Sequence, residues 1–167
     1  MTNTPKSGLS FLWLSLLAFV LDLLTKYIVV QKFDLHESVN VLPVFNLTYV
    51  RNYGAAFSFL ADHDGWQKYF FIVLAIGISL MLAYFMKKNH ASQKLQNSAY
   101  ALIIGGALAN MVDRAYNGFV VDFFDFYWRD WHYPVFNVAD IAICVGAGLL
   151  ALDAFKSDKN KQKSGQK

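Results

Sequence analysis

The sequence predicts an all-α membrane protein, four transmembrane helices with a small β-sheet cradle between helices 1 and 2, and three observations lead there. The 167 residues are 56% hydrophobic with a mean hydropathy of +0.31, too apolar for an ordinary soluble domain and too short for more than one domain. The apolar residues gather in four runs, about 9–30, 69–86, 98–115 and 137–155, each near the length that crosses a bilayer. Lysines collect in the N-terminus, in the loop after the second run and in a tail over 156–167, an asymmetry that assigns those three segments to the cytoplasmic side. The chain is therefore read as a single integral membrane domain, residues 1–167, with the loops after the first and third runs facing outward.

The first run, Leu9 to Val30, is interrupted by Asp22, Thr25 and Lys26. It is longer than a signal-peptide core and no small-residue cleavage site follows, so it reads as a retained helix. Asp22 and Lys26 lie four apart on one helical face, as a structural ion pair or with the lysine snorkelling to the interface. Gln31 to Lys68 is too mixed to cross a bilayer. Within it, residues 38–60 alternate Val, Phe, Leu, Tyr and Thr around Pro43 and Asn52-Tyr53-Gly54, which predicts short strands lying on the membrane surface. The segment Asn52-Tyr53-Gly54-Ala55-Ala56-Phe57-Ser58 sets an amide and a glycine before small residues, a composition that admits close backbone approach to a ligand as readily as a simple turn. Asn46-Leu47-Thr48 matches a glycosylation acceptor but carries no weight.

The second run, Tyr69 to Met86, has Trp66, Tyr69 and Phe70 as interfacial anchors, and Lys87, Lys88 and Lys94 follow it. The third, about Ser98 to Arg114, offers the small-residue face Gly105-Gly106-Ala107-Leu108-Ala109 for close packing. Packing does not explain its polar end, Asn110, Asp113 and Arg114. Ala115 to Phe136 is dense in aromatics and reads as a loop half-sunk among headgroups. The fourth run opens at Phe136-Asn137-Val138-Ala139-Asp140, which sets a carboxylate at the mouth of an apolar helix.

Most catalytic plans fail on residue supply. His36, His63, His90 and His132 are isolated in the sequence, with no H-E-x-x-H pair, and the single Cys144 sits in an apolar run as a packing residue. No metal or cofactor is expected. No G-x-S-x-G elbow, Walker motif or dinucleotide glycine pattern is present, and a net charge of +3 confined to ends and one loop does not suggest nucleic acid. Carboxylates remain. Asp140 in a spanning segment needs a partner, and Asp122 in Val120-Val121-Asp122-Phe123 is the natural one. Two carboxyl groups at one desolvated site share a proton, so one can act as base and the other as acid. Asp125 is the main rival for this role, and Asp113 beside Arg114 reads as charged scaffold. On the residues alone, the pair stands against a small proton-coupled carrier or channel subunit relaying protons through Asp22, Asp113 and Asp140, and against a lipid-binding scaffold without chemistry.

Four segments in order, Asn52 to Ser58, Gly105 to Asn110 with Asp113-Arg114, Val120 to Phe123 and Phe136 to Asp140, together closely resemble the bacterial lipoprotein signal peptidases (signal peptidase II). The Asp22-x-x-Thr25-Lys26 element is similar too, and the likeness covers nearly the whole chain. The resemblance implies an aspartic endopeptidase of the bacterial inner membrane with a periplasmic sheet that cradles substrate. Its members cleave prolipoproteins before a diacylglyceryl-modified cysteine, at the membrane lipid surface, and are blocked by globomycin-type cyclic peptides. By motif match the catalytic pair falls on Asp122 and Asp140. Asn52, Gly54, Asn110, Asp113, Arg114 and Asn137 fall on positions that support the site or contact substrate, and Asp22 and Lys26 on a structural pair. Ala109 departs from the family, which often has glycine there.

Overall fold

The computed structural model describes residues 7–54 and 65–164, with side chains through residue 156. Residues 55–58 of the Asn52–Ser58 motif, Lys6, Lys167 and the side chains of Lys159, Lys161 and Lys163 lie outside the described residues. After a 3₁₀ turn at Gly8–Phe11, the elements are α1 (Leu12–Lys32), β1 (Ser38–Leu42), β2 (Phe45–Asn52), α2 (Trp66–Lys88), α3 (Lys94–Asn117), β3 (Val120–Trp128), β4 (Trp131–His132) and α4 (Val138–Ser164). The last helix runs on through most of the segment read from sequence as a lysine-rich tail.

Among the described residues, three stretches are helical, long and apolar enough to cross a membrane: residues 8–32, 66–88 and 138–156. The sequence predicts four such spans. The exception is α3, whose apolar character is diluted by Asn97, Asn110, Asp113 and Arg114. These residues tolerate their position because α3 packs against all three other helices, and Asn97, Asn110 and Asp113 are buried in protein. Polar side chains on a membrane helix face the bundle interior for this reason.

Small residues let α3 occupy that central place. A Cβ on Gly106 would run into the Ala139 backbone and the Ile143 side chain of α4, and one on Gly105 would strike the Ser15 backbone of α1. Ser15 Oγ also donates 2.7 Å to the Ala101 carbonyl, and Ala109 is fully buried. On another face of α3, Leu82 and Met86 of α2 meet Ala101 and Ile104. The helix stops at Gly118, whose φ of +82° is open to glycine and whose N–H caps the Arg114 carbonyl.

The sheet is antiparallel with order β1-β2-β3-β4, and it departs from the sequence reading in one respect. Half its strands come from the segment after α3 that reads as an aromatic loop. There β3 pairs with β2, Asn52 opposite Val120 and Val50 opposite Asp122, with a bulge between Leu47 and Val50. Tyr49, Val121 and Phe123 of the sheet pack on Val29 of α1. The pairing thus carries Asp122 to the ends of the helices.

Candidate active site

Asp140 owes its position to the start of α4. The Asn137 side-chain carbonyl accepts the Asp140 N–H at 2.9 Å, and the Asp140 carboxylate accepts the Asn137 N–H at 3.2 Å, the reciprocal arrangement of a capping box. The fully buried Asn137 has an amide left over. Its Nδ2 donates 2.7 Å to Asp122 Oδ1 and 3.1 Å to Asn110 Oδ1, while Asn110 Nδ2 donates 2.9 Å to Asp140 Oδ1. One asparagine therefore hydrogen-bonds both carboxylates. On the far side, Asn52 Nδ2 donates 3.0 Å to Asp122 Oδ2.

Asp122 is buried in strand β3. Burial, and secondarily the negative charge of Asp140, push its carboxyl up to about 7, against the pull of hydrogen bonds from Asn52 and Asn137 and the charge of Lys26. Two acids at one desolvated site with a shared asparagine can hold a single proton between them near neutral pH.

A second tier fixes the first. Lys26 Nζ lies 2.6 Å from Asp22, 2.9 Å from Asp113 and 2.8 Å from Asn110 Oδ1. With only 3% of its side chain exposed, it does not snorkel. Asp22 Oδ1 accepts the Ala139 N–H at 2.7 Å, pinning the first turn of α4, and Asp113 Oδ2 accepts the Val121 N–H at 3.1 Å, pinning the residue before Asp122. Arg114 reaches elsewhere: it donates 2.8 Å to the Gly54 carbonyl and lies 4.8 Å from the Phe71 ring centre. Gly54 N–H in turn bonds Asn52 Oδ1 at 3.0 Å, so the arginine orients the asparagine that holds Asp122.

The two carboxylates open on a cavity of about 900 Å³. Asn52, Asn110 and Arg114 line its polar side, and Ile141, Cys144 and Val145 of α4 its apolar side. Cys144 is exposed there, which corrects its reading as a packing residue. Among the described residues, no three His, Cys, Asp or Glu side chains are placed to hold a metal ion.

Asp125, the rival acid, is bonded elsewhere. Its carboxylate accepts from Asn46 at 3.2 Å and Thr48 at 3.1 Å and lies 2.7 Å from His132 Nδ1. His132 is therefore not isolated, as the sequence suggests, but half of a pair. Asn46 and Thr48 are the two ends of the discounted glycosylation tripeptide. Their spacing of two in a strand, which puts both side chains on one face, was the available signal.

The sequence profile of the family described as Signal peptidase (SPase) II matches residues 14–156. A lipoprotein signal peptidase of Haemophilus influenzae strain PittGG is 82% identical, covering 98% of this chain and 99% of its own. One of Pasteurella multocida strain Pm70 is 79% identical over 91% of this chain and 92% of its own. A bacterial membrane enzyme solved by the in meso method at 2.3 Å is 31% identical, with a TM-score of 0.84 over 95% of this chain and 96% of its own. With the profile spanning all four helices and the sheet that join the two carboxylates, this chain belongs to the signal peptidase II family of membrane proteases.

Proposed function

We propose that the protein removes the signal peptide from bacterial prolipoproteins before a diacylglyceryl-modified cysteine, with Asp122 and Asp140 as the catalytic dyad. The observation that carries the assignment is the contact of Asn137 with both carboxylates at the wall of one cavity. Asp122, pushed up to about 7, starts as the proton holder. Asp140 sits in the first turn of α4, where the helix dipole favours negative charge, and takes the part of the base.

In the reaction Asp140 takes a proton from water as the water oxygen bonds the scissile carbonyl carbon, and Asp122 gives its proton to the carbonyl oxygen. On collapse, the C–N bond breaks, Asp140 passes the proton it took from water to the departing amine of the modified cysteine, and Asp122 recovers one from a hydroxyl of the tetrahedral intermediate. Asn110 and Asn137 hold both acids in place through the cycle. The precursor's acyl chains stay in the lipid beside the apolar α4 wall, and a globomycin-type cyclic peptide would compete for the same cavity.

The family and the lysine pattern together support the following setting. The protein sits in the bacterial inner membrane, α3 crosses as a fourth span, both termini are cytoplasmic, and the dyad lies near the periplasmic face. A proton-coupled carrier would string ionisable groups across the bilayer. The buried Asp22, Lys26, Asp113 and Asp122 instead join in one cluster with Asp140.

The test is cleavage of a diacylglyceryl-modified precursor by purified protein in detergent. Asp122→Asn and Asp140→Asn should each insert and fold yet lose at least about 10²-fold in rate, the lower bound for a general acid or base. Turnover within tenfold of wild type by either variant would refute the dyad.

A further inference from the structure

The Asp125–His132 pair lies outside the catalytic cluster, yet the His132 ring lines the same cavity. One edge of the ring is committed. Its Nδ1 lies 2.7 Å from Asp125 Oδ1, while Asp125 Oδ2 takes the amide of Asn46 and the hydroxyl of Thr48. The ring stacks on Tyr127, centroids 5.3 Å apart with 19° between planes, and Asn40 donates to the Tyr127 hydroxyl at 3.0 Å. Three strands thus fix the orientation of one imidazole whose side chain is half exposed.

Asp125 is itself settled as an anion. Burial pushes its carboxyl up, but hydrogen bonds from His132, Asn46 and Thr48 outweigh that and hold it below its usual range. An ionised carboxylate only accepts, so Nδ1 carries the proton and the neutral ring leaves a lone pair on Nε2.

We propose that His132, held by Asp125, is a substrate-positioning residue whose Nε2 accepts a backbone N–H of the precursor in the cavity. Its distance from the dyad fixes the kind of effect. His132 pairs with Tyr127, five residues along β3 from Asp122, on the order of 15 Å at about 3.3 Å per residue. An extended peptide covers that span in about four or five residues, so the contact falls well away from the scissile bond and acts on binding. Protonation converts the acceptor on Nε2 into a donor and breaks the contact. The ionisable groups around the ring are Asp125 and Tyr127 of β3 and its neighbour Tyr133, and the same cavity is lined by Arg51, Tyr53, Arg114, Asp122, Asp140 and Cys144.

The inference rests on the precursor being the substrate, and its test separates the two. His132→Asn superposes an amide N–H on Nδ1, keeping the Asp125 contact while removing the nitrogen that faces the cavity. With purified full-length protein and a diacylglyceryl-modified precursor peptide, the variant should show KM about 3- to 10-fold higher, the size of one neutral hydrogen bond, and kcat within twofold of wild type. Acidification should also raise the wild-type KM more than that of the variant, because a protonated imidazole has no acceptor nitrogen. A wild-type KM in His132→Asn, or a fall in kcat at unchanged KM, would overturn the assignment. Failure of the wild-type chain to cleave the precursor would instead remove the parent reading and this one with it.

Discussion

At the scale of single residues, the two acids were legible because their cost is visible in one dimension. A carboxylate opening an apolar run demands a partner, and Asp122 was read as the natural one, with Asp125 as its rival. Asn110 and Asn137, close to the acids in sequence, could be read as hydrogen-bonding them, but the sequence did not disclose that Asn137 alone reaches both, one through its amide and the other through its backbone. Asp122 has a stability signature with a definite sign. Its folded-state value of about 7 lies above the roughly 3.9 of an unfolded aspartate, so the folded state binds the extra proton. Its contribution is fully present below about pH 4 and is lost as pH rises through about 7. Melting temperatures measured from pH 5 to 8 should therefore fall for wild type relative to Asp122→Asn, with the gap widest at pH 8. A second prediction concerns Lys26, which answers two buried carboxylates and an amide. Lys26→Met leaves Asp22 and Asp113 without their cation, a loss on the order of 3–5 kcal/mol, measurable as a drop in midpoint in a detergent-based unfolding titration. An unchanged midpoint would mean the lysine contributes nothing net.

At the scale of elements, helices were read more easily than strands, for a physical reason. A helix hydrogen-bonds within itself, so composition over twenty residues announces it, while a strand is completed by a partner that can lie anywhere. Asp122 sits opposite Val50 with α2 and α3 between them in the chain, and no local pattern in 115–136 distinguishes an aromatic strand from an aromatic loop. The same blindness hid His132, whose partner Asp125 is seven residues away through a hairpin. The small-residue face of α3 was legible because its logic is local. It also gives a prediction: a side chain on Gly106 must displace the Ala139 backbone, which lies in the turn that carries Asp140. Gly106→Val should therefore lower both the melting temperature and kcat, whereas Gly77→Ala, with open space around it on α2, should change neither. If Gly106→Val melts and cleaves like wild type, α3 and α4 do not approach as closely as described.

At the scale of the whole molecule, α3 connects sequence, topology and chemistry. Of the four long helices described, it is the one with no stretch apolar enough to stand out as a span, because it supplies Asn110 and Asp113 to the site and Arg114 to the loop that orients Asn52, and it can be so because the other three helices shield it. At 24 residues it is about 36 Å long at 1.5 Å per residue, enough to cross a hydrocarbon core of about 30 Å. A spanning α3 places the Lys87–Lys94 loop and both termini on one side and the sheet on the other. Reporter domains that work only in the periplasm should then be silent when fused after Lys88 or at the C-terminus and active when fused after Gly118, whose turn at the end of α3 sits beside the sheet. Activity after Lys88 together with silence after Gly118 would invert the orientation. Equal reporter states at the two sites would mean α3 does not cross, and the dyad would then need another way to reach a precursor exported through the same membrane.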